Sequence, residues 1–523
     1  MKLGDLFAGI EATVPPGAAG VDVRALAVDS RRVTPGALFA ALPGVSADGA
    51  EYAPQAVAKG AAAVLAQRPL QPGAPVVVAP NARKAFSVAA ARFHGEPSRR
   101  FSLYGVTGTN GKTTTTYLVE QLSKARGLGT GLIGTVESRW PGGRLPATHT
   151  TPESHELQAL LRTMLEAGAQ VVAMEVSSHA LAQERAAGCT FAGAAFTNLT
   201  RDHLDYHGTL EEYFAAKAKL FRELLPKGAP AVLNLDDARV ASLAREVGDP
   251  VGFSLRGAKH AALAVEDLRS DLDGLVFRLR TAAPLEPQLA DVMSPLIGAH
   301  NAENLLAALG LLAGSGVPLA ELVRLVPEAR GAPGRLERVP DRGGRVVLVD
   351  YAHTDDALAR VLDALRKAAG EKPRLVCVFG CGGDRDRGKR PLMGEAAGLR
   401  ADLVIATSDN PRTEDPLAIL AEIEPGLVRS GKTRLEPRHA RSGMGGYCIV
   451  PDRREAIDLA LRCAGAGDAV LIAGKGHEDY QIVGKEKRPF DDRAEALRAL
   501  QEIEREEPPA GIASRRSRRR RDE

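Results

Sequence analysis

Seven residues, Gly108-Thr109-Asn110-Gly111-Lys112-Thr113-Thr114, follow an apolar run and lead into a helix-like stretch through Tyr117, Leu118 and Leu122. Residue types in that order suit one task, cradling the phosphates of a nucleotide. Glycines let backbone N–H groups approach phosphate oxygens, a helix N-terminus favours negative charge, a lysine offsets the β and γ charges, and a Thr hydroxyl can ligate Mg²⁺. The common GxxxxGK[ST] pattern fails at one place, because Val106 stands where its first glycine belongs. A plain Gly-rich turn accounts for the glycines but not for GKTT behind an apolar strand. No N-K-x-D run is present to read guanine, which favours ATP over GTP.

Phosphoryl transfer needs cations to neutralise the moving oxygens. Glu175, in the run 171–176, and His203, in the loop after Phe196, fall at the ends of neighbouring strands and are placed to reach Mg²⁺. A loop histidine alone says little; beside a phosphate loop and a strand-end carboxylate it becomes a candidate ligand.

These polar groups need a scaffold, and the apolar runs 101–106, 171–176, 191–196 and 231–235 supply one. Continuous apolar strands alternating with helices specify a parallel sheet covered on both faces, with ligands at the carboxyl ends of the strands. Runs 346–349, 375–379, 403–406 and 469–473 repeat the plan and lead into DYAH, GCGGDRDRGKR, TSDNPR and GKGHEDYQ. They read as a second, Rossmann-like layer. The first block, with LAVDSRRVTPGALFAAL, reads only as α/β or α+β. Pro/Gly clusters at 95–98, 331–334 and 508–511 divide an α/β chain into domains 1–98, 99–332 and 333–508, with a basic tail 509–523 expected to be disordered.

With 523 residues, 44% of them hydrophobic, the chain can fill several cores. Its 68 basic and 65 acidic residues give +3, of which the six Arg of 514–523 against Asp522 and Glu523 contribute +4, so the rest stands at −1. A body so balanced lacks the cationic field of a nucleic-acid binder. Cys189, Cys377, Cys381, Cys448 and Cys463 form neither CxxC pairs nor a secreted disulfide framework, so a cytoplasmic setting is expected. No run of about 18 apolar residues is present, and Asp5 and Glu11 interrupt the N-terminal segment; neither a membrane span nor an export signal is expected.

In order, TGTNGKTTT, EVSSHAL, TNLTRDHLDYHG, HNAENLLAA, GRLE, VDYAHT, DNPR and GKGHE resemble the Mur ligases, ADP-forming amide ligases, over nearly residues 20–495. The resemblance implies a small N-terminal α/β UDP-binding domain, a central P-loop ATPase-like parallel-sheet domain and a C-terminal Rossmann-like domain. It also implies ATP as co-substrate, Mg²⁺ as cofactor, small-molecule substrates and a monomeric chain, with the active site between domains that close about a hinge near 331–334. The pattern looks like that of members adding meso-2,6-diaminopimelate to UDP-N-acetylmuramoyl-L-alanyl-D-glutamate through an acyl phosphate, in cytoplasmic peptidoglycan precursor synthesis.

Residue by residue, the resemblance places Lys112, Lys217, His203, Asp350 and Arg335 in catalysis. It adds Asn301, Asn304 and His353 to the ATP loop, and gives Mg²⁺ to Thr113, Glu175, His203 and a carbamylated Lys217. An unmatched helix lysine, with a pKa of about 10.4, would stay cationic; carbamylation reverses that sign. Ser30, Thr150, Thr151, Ser177, Gln183 and Arg185 match contacts to the UDP-sugar dipeptide, Arg185 facing an acidic group. Arg385, Asp409, Asn410, Pro411, Arg412, Gly474 and Glu478 match the diaminopimelate site.

Diaminopimelate has a distal carboxylate that lysine lacks, and Arg412 with Arg385 can clamp it while Glu478 and Asp409 receive ammonium groups. Lysine in that pocket would forfeit charge-assisted hydrogen bonds of roughly 1.5–3 kcal/mol each. Asn-Pro specifies a turn here as well, but a turn does not require Arg412. Arg385 is less sharply assigned, since Arg387 and Arg390 lie beside it.

The chain departs from the family pattern at Asp355, where relatives often place Pro, at His149, where Asn is common, and at Val45-Ser46-Ala47 in place of His-Gln-Ala. These bear on loop and sugar-side contacts. Competing readings are the same reaction with L-lysine, a folylpolyglutamate synthase-like ligase, which has no reason to carry a uridine-binding block, and a nucleotide-dependent switch whose basic tail docks a partner.

Overall fold

A computed structural model describes residues 1–44 and 47–506; Val45, Ser46 and the expected basic tail lie outside the described residues. Two compact units result. The first comprises Met1–Glu266, Arg278–Asp291 and Glu303–Ala329, and the second Asp267–Phe277, Val292–Ala302 and the chain from Arg330 on.

Within the first unit, the N-terminal block resolves to α/β. Strands Ala25–Ala27, Ala37–Ala40, Ala63–Ala66 and Val76–Val78 lie side by side in chain order, all parallel. The two central strands, Ala37–Ala40 and Ala63–Ala66, are wholly buried, and the helix Ala82–Phe93, capped by Asn81 accepting from Lys84 N–H, packs on the sheet through Phe86 and Ala89.

The larger sheet of this unit runs Val251–Ser254, Ala231–Asn234, Gly193–Phe196, Ser102–Thr107, Val171–Glu175, Thr130–Ile133, and these strands are parallel. Glu137–Trp140 and Gly143–Pro146 extend it antiparallel. The expected strands at 101–106, 171–176, 191–196 and 231–235 are all present to within two residues. Ser102–Thr107 sits between Gly193–Phe196 and Val171–Glu175, so three polar strand ends are neighbours.

The second unit has its own sheet, ordered Glu337–Val339, Val346–Asp350, Ala469–Ala473, Leu375–Phe379, Leu403–Ala406, Gly446–Ile449. Only the first pairing is antiparallel. Runs such as VVLVD and LVCVF are buried along their whole length because helices cover both faces. Helix Asp355–Ala369 is typical: Thr354 caps it, Leu358, Leu362 and Leu365 form its buried stripe, and Gly370 ends it. Each of those leucines contributes about 1.5–3 kcal/mol by burial. Asp355, the departure from Pro, occupies the first turn, where a carboxylate meets the positive end of the helix dipole, so the exchange is structurally benign.

Candidate active site

In the phosphate loop, Gly108 and Gly111 have φ of 144° and 86°, and Lys112–Ala125 begins directly behind them. A Cβ at Gly108 would overlap the Thr197 hydroxyl, and one at Gly111 the Asn304 side-chain oxygen, so both positions require glycine on two grounds. The loop is stitched to the next strand end. Thr109 N–H donates to the Asn198 carbonyl, its hydroxyl to the Thr200 carbonyl at 3.2 Å, and Asn110 N–H to Asn198 Oδ1 at 2.9 Å. Thr113 and Thr114 are buried in the first helical turn.

Lys112 Nζ donates to the carbonyls of Gly108 and Thr109, both at 2.9 Å. Lys217, on helix Leu210–Lys219, brings its Nζ to the same Gly108 carbonyl at 2.8 Å and lies 4.6 Å over the Tyr213 ring. It is 1% exposed. Burial, and then the Lys112 charge, hold its amine well below the usual lysine range. Tyr213 is itself tied to the loop through Thr109 Oγ1 at 3.3 Å.

Glu175 is 1% exposed at its strand end and accepts from Thr135 N–H at 2.8 Å and the Thr135 hydroxyl at 3.0 Å. His203 is half-exposed, with φ of 51°, its Nε2 3.5 Å from Asp202 and its ring 4.9 Å from that of His179. Glu175 is thus engaged by Thr135 while His203 faces Asp202 and His179. Among the described residues no three His, Cys, Asp or Glu side chains converge as a metal centre. The hydroxyl of Thr113 and the carboxylate of Glu175 are nonetheless the hard oxygen donors that suit Mg²⁺, which keeps waters and substrate phosphates in its shell rather than a full protein cage.

Five of the six residues matched to the UDP-sugar dipeptide form one network. Thr150 and Thr135 hydroxyls are 3.1 Å apart, Thr151 Oγ1 donates to the Glu175 carbonyl and accepts from Ser177 N–H, and Gln183 Nε2 donates to Tyr206 OH. Arg185 Nη1 donates to the Thr151 carbonyl at 2.9 Å, while its Nη2 donates to Gln183 and pairs with Glu153 at 2.8 Å. Arg185 therefore already has one carboxylate neighbour. Ser30 stands apart in the first block, donating to Gln55 Oε1 at 2.7 Å.

Asn301 and Asn304 lie one turn apart on helix Ala299–Gly314, both buried; Asn301 donates to the Ile297 carbonyl, and Asn304 faces Gly111.

In the second unit, Asp350 ends its strand and accepts from Leu336 and Ala352 N–H groups, each at 2.8 Å. Burial raises its pKa, opposed by Arg335. The Arg335 guanidinium lies 5.0 Å over the Tyr351 ring, and His353, lowered by burial, bonds the Tyr351 carbonyl through Nδ1 at 2.9 Å. Gly474 N–H donates to the Asp350 carbonyl at 3.0 Å, joining GKGHE to this strand end.

Beside it lies the DNPR loop. Arg412 has φ of 52° and donates through Nη1 to the Gly383 carbonyl at 2.8 Å. A Cβ at Gly382 would stand 2.9 Å from Arg412 Nη1 and 3.7 Å from Arg385 Cγ, so the two arginines flank one glycine. The three arginines of GDRDRGKR differ in their surroundings: Arg390 is buried between Glu414 and Glu422, Arg387 pairs with Glu422, and Arg385 is exposed. Among the described residues neither Arg385 nor Arg412 pairs with a carboxylate. Asn410 Nδ2 donates to Glu478 Oε2 at 3.0 Å, and burial raises the Glu478 pKa. Asp409 is 3.1 Å from the buried Lys475.

Sequence reasoning missed Thr135, Thr197, Asn198, Thr200, Tyr213 and Lys475. All but Thr135 lie inside or just beyond motifs it had singled out, so strand-end polar residues next to a motif are the signal that could have found them.

Family comparisons agree with this layout. Residues 22–100 match the Mur ligase family catalytic domain, 106–312 the Mur ligase middle domain and 334–476 the Mur ligase glutamate ligase domain. A Synechococcus sp. (strain WH7803) protein named UDP-N-acetylmuramoyl-L-alanyl-D-glutamate--2,6-diaminopimelate ligase is 48% identical over 510 residues, 95% of this chain and 98% of its own. A solved structure of a ligase of that name is 37% identical with TM-score 0.71, covering 94% of this chain and 97% of its own. A Thermotoga maritima folylpolyglutamate synthase, 15% identical with TM-score 0.56 over 76% of this chain and 90% of its own, shares the fold alone.

Proposed function

This chain belongs to the Mur ligase family, and on that premise we infer that it is an ADP-forming ligase joining meso-2,6-diaminopimelate to UDP-N-acetylmuramoyl-L-alanyl-D-glutamate. Its domains divide at 98/99 and 332/333. The observation that carries the choice of amino acid is the pair Arg385 and Arg412, whose side chains both approach Gly382 and neither of which forms an ion pair among the described residues. A distal carboxylate supplies that partner, and L-lysine does not.

ATP phosphorylates the γ-carboxyl group of the dipeptide, because a free carboxylate is a poor electrophile toward an amine. Backbone N–H groups of Gly108 to Thr114 and the Lys112 ammonium hold the phosphates, with Asn304 beside the loop; Asn301, His353, Arg335 and Asp350, in the second unit, carry the nucleotide and catalytic roles that the family pattern implies. Thr113, Glu175 and His203 would hold Mg²⁺, which when bound would neutralise charge on phosphate oxygens.

Lys217 joins that set as a carbamate. A buried amine beside a second ammonium favours its neutral form, the form that adds CO₂ with loss of a proton. Ser30, Thr150, Thr151, Ser177, Gln183 and Arg185 orient the UDP-sugar dipeptide. Glu478 and Asp409 take the ammonium end of the amino acid, whose neutral amine attacks the acyl carbon and displaces phosphate. Five buried free cysteines fit a reducing, cytoplasmic setting.

Phosphate release tests the reading with UDP-muramoyl dipeptide and ATP, comparing diaminopimelate, L-lysine and a folate plus glutamate. Diaminopimelate-dependent release is expected; equal or greater release with L-lysine would overturn the choice of amino acid.

A further inference from the structure

Lys475, the lysine of GKGHE, is 0% exposed, so it cannot touch a bound substrate. An ammonium has three N–H donors; here two donate hydrogen bonds and the charge pairs with a carboxylate. Lys475 Nζ faces Asp409 Oδ1 at 3.1 Å, Asn410 Oδ1 at 3.0 Å and the Tyr480 carbonyl at 2.8 Å.

The consequence is directional. Asn410 Oδ1 accepts from both Lys475 and Ile482 N–H, the latter at 2.9 Å, which fixes the amide orientation and turns Nδ2 toward Glu478. Asp409 Oδ1 faces Lys475, and its Oδ2 lies toward Gly474, 3.7 Å from where a Cβ would stand. The hairpin of half-buried Tyr480–Val483 and exposed Glu486–Pro489 clasps the same loop: Gln481 Nε2 donates to the Asp409 carbonyl at 2.8 Å, Arg412 N–H to the Ile482 carbonyl at 3.0 Å and Gly484 N–H to the Arg412 carbonyl at 2.7 Å.

From behind, the buried Arg453 donates to the carbonyls of Ser408 and Ala473, the residues preceding Asp409 and Gly474, and is held bidentately by Asp492 at 2.7 Å. A buried cation thus braces each side of one acidic pocket, and only Lys475 reaches the side chains that line it.

We propose that Lys475 is the positioning residue of the amino-acid pocket: it orients Asp409 and Asn410 so that the pocket accepts an ammonium group, without itself touching the amino acid. The proposal rests on reading DNPR and GKGHE as the diaminopimelate site. Removing it leaves Asp409 short of a counter-charge and frees the Asn410 amide to flip, which would turn its oxygen toward the Glu478 carboxylate and take away the N–H that holds that side chain.

The test is steady-state kinetics of the full chain as Lys475→Met, with each substrate varied in turn and thermal melting followed alongside. The expected result is a diaminopimelate KM raised about tenfold or more, the fold-change of losing one charge-assisted hydrogen bond, with the KM values for ATP and dipeptide within about twofold of wild type. A folded variant with an unchanged diaminopimelate KM, or with all three KM values raised alike, would overturn it.

Gln481→Ala cuts one hydrogen bond from the hairpin to the same loop and removes no buried charge, so it decides the matter should Lys475→Met not fold: a selective rise in the diaminopimelate KM supports the proposal and no change overturns it. If the wild-type chain turns over no amino acid, the reading of the pocket fails first; if it prefers another amino acid, the same KM comparison is made with that one.

Discussion

The amino groups of Lys112 and Lys217 converge on one acceptor, the Gly108 carbonyl oxygen, at 2.9 and 2.8 Å. Two ammonium ions that close repel, and burial adds a desolvation cost for the inner one. Lys217 is the inner one, and its amine is driven toward neutrality. Lys217→Ala is expected to lower kcat by about a hundredfold or more, on the scale of losing one preorganised charged group. Short carboxylic acids should restore part of the activity if the native group is a carbamate; a rate that no added carboxylate or bicarbonate moves would tell against carbamylation.

Gly111→Ala meets two obstacles, the positive φ of 86° and the Asn304 side chain. The backbone alone costs about 1–2 kcal/mol. ATP affinity should fall by at least tenfold while the affinity for diaminopimelate holds, as isothermal titration of each ligand would reveal.

Arg412→Ala should raise the diaminopimelate KM far more than the ATP KM. Truncating the guanidinium forfeits roughly 1.5–3 kcal/mol of charge-assisted bonding, or more than tenfold. The ratio of kcat/KM for diaminopimelate over L-lysine is the discriminating measurement, and it should collapse in the variant.

Arg453 and Asp492 are both fully buried and bonded bidentately. Asp492→Asn leaves a buried guanidinium uncompensated, at a cost of about 3–5 kcal/mol. Urea unfolding should show that loss, and an apolar replacement of both partners should recover much of it. An unchanged urea midpoint in the single variant would contradict the pairing.

Histidines set an acid limb for stability. His207, hydrogen-bonded to Ser178 Oγ at 3.0 Å, is lowered by burial to about 4, and so is His477. Both stay neutral in the folded chain, whereas the unfolded chain takes up their protons below about 6.5. The unfolded state then binds more protons, so stability falls as pH drops from about 6.5 toward about 4 and levels off below. Urea midpoints across that range should fall with pH, and His207→Asn should flatten the slope.

What the sequence determined by itself was the repeated plan of buried strand, polar turn and helix, together with the identity of the loops that carry chemistry. Continuous apolar runs have few ways to be buried other than a two-sided parallel sheet, so the strands at 171–175, 346–350, 375–379 and 469–473 were legible from pattern alone. Gly446–Ile449, Thr130–Ile133 and the hairpin after GKGHE were not, because short or half-exposed strands take their stability from neighbours rather than from their own composition. The phosphate loop was read from its own residues, whereas the sugar-dipeptide and amino-acid contacts were expected only through the family resemblance.

Only the tertiary structure decided which like residues differ in role. Arg385, Arg387 and Arg390 are equivalent in sequence, yet Glu414 and Glu422, contributed by a later segment, neutralise two of them. Lys475 passed as an ordinary lysine and Lys217 stood out only through the family resemblance, whereas burial surrounds one with Asp409, Asn410 and Tyr480 and the other with Gly108 and Tyr213. A side chain's charge and orientation depend on solvent access and on partners distant along the chain, and those are set when the sheets close over it.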